Sequence, residues 1–150
     1  MKKAIVIYDT RFGNTEKVAR ALALGMEKEG IMIDCAKLDK IEIGRLAEYD
    51  LLAIGGPTHA FGASKPMKNF LEKLKDINLE HKNAFAFDTK IKYRWAGSAG
   101  KNIEIRCKKL GMRIVRPHAS AIVKGMEGPL EAGMEEMFER IGAEIVESIR

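Results

Sequence analysis

The sequence predicts a three-layer α/β fold: a parallel sheet covered by helices on both faces. Two observations predict it. Short β-branched and apolar runs alternate along the chain with segments whose apolar residues recur at the helical period. The first and third of these runs, residues 4–8 and 51–54, also lack the polar alternation of a half-exposed strand, as strands buried on both faces do. At 150 residues, 46% apolar and 31% charged, the chain is read as one domain over 1–150 with its own core. It contains no repeat, low-complexity tract or linker-like stretch.

Residues 4–8 form the first strand. Val18, Ala19, Leu22, Ala23 and Met26 then share one helix face, and Gly30 is placed just beyond as a C-terminal cap. Residues 31–36 form the second strand, and a short helix around 43–49 leads to the third at 51–54. Met67, Phe70, Leu71 and Leu74 stripe the next helix, with Ser64 as its N-cap and Pro66 in its first turn. The fourth strand is 84–87. Ala99, Ile103, Cys107 and Leu110 mark the helix that follows, closed by Gly111. A fifth strand falls near 113–115, continuing or resuming through 121–123. The last helix carries Leu130, Met134, Met137, Phe138, Ile141 and Ile145. Strand–helix–strand crossovers are nearly always right-handed, so the sheet is doubly wound, and ligands of such sheets bind outside the carboxyl ends of the strands.

The loops after strands one, three and four therefore carry the candidate site. The first contains Thr10, Arg11, Phe12, Gly13, Asn14 and Thr15 at the mouth of a helix. Backbone N–H groups there, the helix dipole and two hydroxyls make a phosphate cup, although Thr or Asn alone would also serve as an ordinary N-cap. Neither G-x-G-x-x-G nor G-x-x-x-x-G-K-[S/T] occurs in the chain. A phosphate site without those glycines suits a mononucleotide.

The segment YDTRFGNTEKVA resembles the phosphate-binding loop of flavodoxins, in which Ser or Thr, any residue, and an aromatic or Thr precede Gly-Asn-Thr. It is most similar to the version in the flavodoxin domain of flavodiiron proteins. Gly55-Gly56-Pro57-Thr58-His59-Ala60-Phe61-Gly62 resembles the family's second flavin loop. With element order matching as well, the resemblance covers essentially the whole chain. It implies a short-chain flavodoxin with a five-stranded sheet in the order 2-1-3-4-5, FMN as cofactor, and transfer of electrons between redox proteins. It implies that a peptide within 60–62 reorients near the flavin N5 on reduction, a movement that Gly62 would make cheap. Pro57-Thr58 would equally make a plain turn before the next helix. Flavodoxins commonly sandwich the ring between aromatics of the second and third loops. By resemblance Tyr93 and Trp95 are the stacking candidates on one face and His59 or Phe61 on the other, with Asp88 and Thr89 at the start of the third loop.

The net charge is +5, but residues 81–124 hold eleven basic and two acidic side chains, a local +9 on a body of −4. Lys90, Lys92 and Arg94 give the third loop the opposite sign to the acidic loop usual in the family. If these side chains face the ring rather than solvent, the anionic reduced flavin is disfavoured less. An acidic redox partner docking near this loop is then expected, or, in the alternative reading of a small NAD(P)H or quinone reductase, an anionic substrate. A third reading is a flavin-free interaction module. Cys107 and Arg113 spell C-x5-R, but the cysteine falls on the apolar stripe of a helix and reads as a buried structural thiol. The three histidines are scattered and propose no metal site, and charge alone does not make a nucleic-acid motif. With two cysteines, no signal-like N-terminus and no membrane-length apolar run, the sequence reads as cytoplasmic.

Overall fold

The structure is a computed structural model that describes residues 2–150, with the side chain of Arg94 outside the described set. Its order is β1 (Lys3–Tyr8), α1 (Asn14–Lys28), β2 (Met32–Lys37), β3 (Leu51–His59), β4 (Gly62–Ala63), α2 (Lys65–Lys73), β5 (Asn83–Ile91), α3 (Ala99–Lys109), β6 (Arg113–Ile114), β7 (Ala119–Val123) and α4 (Met134–Ile149). The sheet runs β2-β1-β3-β5, and its last position is shared by β6 and β7. Both pair in parallel with β5, β6 at Asn83 and Ala84 and β7 from Phe87 to Ile91. The fifth strand of the predicted 2-1-3-4-5 order is thus present but interrupted between residues 114 and 119.

Strand alternation divides the core into two layers. Ala4, Val6, Tyr8, Leu51, Ala53, Phe85 and Phe87 pack with α1 and α4, whereas Ile5, Ile7, Leu52, Ile54, Ala84 and Ala86 pack with α2 and α3. Residues 4–8 and 51–56 are buried throughout, as a sheet covered on both faces requires. Phe87 meets Phe138 of α4 edge to face at 5.9 Å between ring centroids. No helix among the described residues is long and apolar enough to cross a membrane.

Two elements depart from the sequence reading. The crossover from β2 to β3 is a pair of 3-10 turns, Leu38–Lys40 and Ile43–Glu48, that buries only Leu46. One anchor on an edge strand gives too little buried surface to hold an α-helix. Leu130 lies outside the last helix, which opens at Gly133 (φ +86), because residue 130 instead bridges Val123.

β1, β3 and β5 are parallel and adjacent, with Tyr8 opposite Gly55 and Gly56 opposite Asp88. The loops leaving their carboxyl ends therefore converge. β1 lies between β2 and β3, so the chain leaves it first in one direction and then in the other. The crevice opens at that reversal.

Candidate functional site

Asp9 extends the β1–β3 ladder by one bond, its N–H donating to the Gly55 carbonyl at 3.0 Å. Its Oδ2 accepts from Ser64 Oγ at 2.6 Å, and Ser64 Oγ in turn accepts from the Met67 N–H to cap α2, as predicted. This chain of bonds ties the first loop to the second. Thr10 Oγ1 accepts from the Gly13 N–H at 2.9 Å, which leaves its own proton to donate. Gly13 opens α1 at φ +91 with no side-chain cap. A Cβ there would meet nothing within 4 Å, so the glycine serves the left-handed backbone and not a close approach. The first-turn amides of α1 are consequently left for a partner from outside, at the positive end of the helix dipole.

The second loop is a two-residue hairpin. Thr58 pairs with Ala63 and His59 with Gly62, and the turn is Ala60 (φ 47) and Phe61 (φ 72). Such turns favour Asn-Gly, and an L residue in the left-handed region costs roughly 1–2 kcal/mol. Positive φ falls on the two residues before Gly62, while a Cβ on Gly62 would lie 2.3 Å from Asn102 Oδ1, the oxygen that accepts the Ala63 N–H, so the glycine also serves a close approach. Gly97 (φ +77) packs equally tightly under the Phe61 carbonyl, so the third loop supports the second.

In the third loop the Tyr93 and Trp95 rings stack on each other, 5.6 Å between centroids and 9° from parallel. Asp88 lies behind this loop, fully buried. Its Oδ2 accepts from Ser98 Oγ at 2.5 Å and from the Gly100 N–H at 2.8 Å, and its Oδ1 has no partner. Asp88 therefore fixes the start of α3 and with it the return of the loop. Thr89 Oγ1 and Thr15 Oγ1 are 2.9 Å apart and buried, joining the first and third loops.

A cleft of about 590 Å³ opens among these loops, within the range of small-molecule sites. Of the predicted residues, Thr10, Arg11, Phe12, Asn14, Thr15, Pro57, Thr58, His59, Ala60, Phe61, Thr89 and Trp95 line it. Gly13, Gly62, Asp88 and Tyr93 stand outside its wall, the first two as backbone devices, Asp88 as a brace and Tyr93 as the outer member of the aromatic pair. Asn14 also differs from a free ligand, since its Nδ2 donates to the Glu127 carbonyl at 3.1 Å, and Thr58 Oγ1 accepts from the Ala99 N–H. The sequence reading missed Asp9, Ser64, Lys65, Pro66, Ile91, Ala96, Val123 and Met126 as lining residues. Asp9 and Ile91 were within reach, because each lies at the carboxyl end of a core strand. Met126 carried no local signal; the segment after β7 brings it in.

The lining is cationic: Arg11, Lys65 and Lys90 against Asp9, whose carboxylate is engaged with Ser64. Among the aromatics, Phe61 is 68% and Trp95 67% exposed, so flat apolar surface is left open at the cleft mouth. Tyr8, just below the first loop, faces the α1 layer. Burial pushes its phenol up, with the charge of Glu16 adding.

A doubly wound sheet, a ligand cleft at its switch point and a helix start prepared for an anion define a class of phosphate-ligand α/β proteins. The family model for flavodoxin matches residues 6–141, and the chain belongs to the flavodoxin family. It is 33% identical over 114 residues to a flavodoxin of Aquifex aeolicus, covering 73% of this chain and 58% of that protein. Against a flavodoxin of Clostridium saccharobutylicum it is 31% identical over 88 residues, covering 58% and 55%. The chain thus spans a little over half the length of these relatives. Oxidised flavodoxin 1 from Bacillus cereus superposes with a TM-score of 0.85 over 97% of this chain and 98% of that one, at 23% identity, a likeness of fold. Flavodoxins bind FMN, and the residues present fit it: uncapped amides and hydroxyl donors for a phosphate, and exposed aromatics on two loops for a flat ring.

Proposed function

We propose that the chain holds FMN in this cleft and carries electrons between redox proteins. The observation that supports this most is the start of α1, where Gly13 leaves the first-turn amides without a side-chain cap beside the Thr10 hydroxyl. Bound FMN would supply the redox chemistry, taking up and releasing electrons one at a time. The chain's part is to bind and to exclude water. Thr10, Arg11, Phe12, Gly13 and Thr15 form the phosphate end. Pro57, Thr58, His59, Ala60 and Phe61 form one wall, closed behind by Gly62 of the same hairpin, and Thr89 and Trp95 form the other, with Asp88 bracing it from behind and Tyr93 stacked on the outer side of Trp95. No side chain is assigned as an acid, a base or a metal ligand.

The partner side of the proposal rests on charge. Arg11, Lys65 and Lys90 line the cleft, and Lys92 is exposed beside it, which suits an acidic redox protein docking over the exposed Phe61 and Trp95.

Titration of the chain with FMN and with riboflavin, followed by flavin fluorescence, tests the site. One FMN per chain is expected, bound at least tenfold more tightly than riboflavin, since a single charge-assisted hydrogen bond to the phosphate already gives about that factor. Equal affinities would remove the phosphate cup. For the carrier role, the flavin-loaded chain alone should not sustain NAD(P)H oxidation, and sustained turnover would favour the reductase reading. Electron transfer to an acidic acceptor protein should slow as salt is raised; acceleration would reverse the assigned docking charge.

A further inference from the structure

The segment joining β7 to α4 does more than connect them. Val123 and Met126 line the cleft, so a fourth stretch of chain walls it besides the three loops after β1, β3 and β5. Met126 is 73% exposed, the highest value among the exposed large hydrophobic residues of the described set, and it projects from a short, well-bonded strap. The Gly128 N–H donates to the Gly125 carbonyl at 3.0 Å, the Lys124 N–H to the Pro129 carbonyl at 2.9 Å, and the Glu131 N–H to the Ile122 carbonyl at 2.8 Å. One side chain from the far end of the sequence fastens this strap to the phosphate end of the cleft. Asn14 Nδ2 donates to the Glu127 carbonyl, adjacent to Met126, across 113 residues of sequence. Asn14 is buried, and Gly128 (φ +99) packs against its amide so closely that a Cβ there would lie 2.6 Å from Nδ2. An unbranched thioether side chain held over a cleft edge by a partly buried hydrogen bond is placed to close on a ligand below it.

We infer that the strap is a fourth wall of the cofactor cleft, that Met126 retains the bound flavin by contact, and that Asn14 is a positioning residue acting through Glu127 rather than a phosphate ligand. The inference rests on the FMN reading above. It accounts for an amide at the helix mouth whose side chain is turned to a backbone carbonyl. It also accounts for a large apolar side chain standing mostly exposed at the cleft edge.

Flavin dissociation, measured by fluorescence recovery on dilution, separates the roles. Met126→Ala lies on the surface and should leave the fold intact. It is expected to release FMN about tenfold faster than the unaltered chain, with Met126→Leu restoring most of the retention. Asn14→Ala should weaken FMN and riboflavin by the same factor, and the double variant should lose no more than the worse single variant, because both act on one strap. FMN release unchanged in Met126→Ala overturns the inference. So does an Asn14→Ala loss confined to FMN, which would make Asn14 a direct phosphate ligand. If the unaltered chain takes up no flavin, the FMN reading falls and this inference with it; uptake by the unaltered chain with an indifferent Met126→Ala removes the strap alone.

Discussion

Cys107 lies fully buried on α3 in the core layer shared with α2, and burial pushes its thiol up to about 12, with the charge of Glu104 adding. A thiolate nucleophile is thus out of reach, and the C-x5-R spacing to exposed Arg113 is incidental. The thiol of the unfolded chain ionises near 9.0. Because the folded value is the higher one, the contribution of Cys107 to stability is complete below pH 9 and is lost as pH rises through 12. Urea melts at pH 7, 9 and 10.5 should therefore show Cys107→Ala less stable than the parent by roughly 1 kcal/mol at neutral pH but with a flatter alkaline decline. Parallel declines would show that the thiol does not carry the effect. Helical spacing revealed the burial of Cys107, since the apolar stripe contained it. The brace formed by Asp88 and the buckle formed by Asn14 were not legible, because in each case the partner comes from another part of the chain.

At the scale of elements, α1 and α4 pack backbone to backbone, and two glycines allow it. A Cβ on Gly25 would lie 1.9 Å from the Glu139 carbonyl oxygen, and one on Gly142 2.3 Å from that of Leu22. These neighbours are backbone, which cannot swing aside. Gly25→Ala is expected to lower stability by about 3 kcal/mol, read as a fall in the urea midpoint. Gly44→Ala, at a glycine with open space around it and no left-handed φ, should change stability by less than about 0.5 kcal/mol. Comparable losses in the two variants would mean that helix contact is not what Gly25 serves. Apolar period placed all four α-helices, because each presents one stripe to the sheet. It failed where burial was local: between β2 and β3, where Leu46 is the single buried anchor, and at Leu130, where a bridge to Val123 decided the backbone.

For the whole molecule the charge map matters more than the net +5. Part of the basic segment is neutralised by pairs to other elements, Arg106 with Glu72 at 2.9 Å and Arg116 with Glu144 at 3.6 Å, while Lys108 pairs with Glu104 of its own helix at 3.7 Å. Lys90, with Arg11 and Lys65 from outside the segment, instead lines the cleft. Positive charge there stabilises an anionic, fully reduced flavin, so Lys90→Gln should make the second one-electron reduction more negative in a spectroelectrochemical titration, with the difference shrinking in high salt. An unchanged or less negative potential would place the Lys90 charge in solvent. The sequence by itself determined the layers and pointed to the first three loops of the site, because these follow from periodic apolar residues and from motifs contiguous in the chain, and the strand order followed only through the family resemblance that those motifs carry. Only the tertiary structure decided which residues face the cleft and which stand behind it. It alone supplied the strap with Met126, because a hydrogen bond spanning 113 residues leaves no pattern in any local window of sequence.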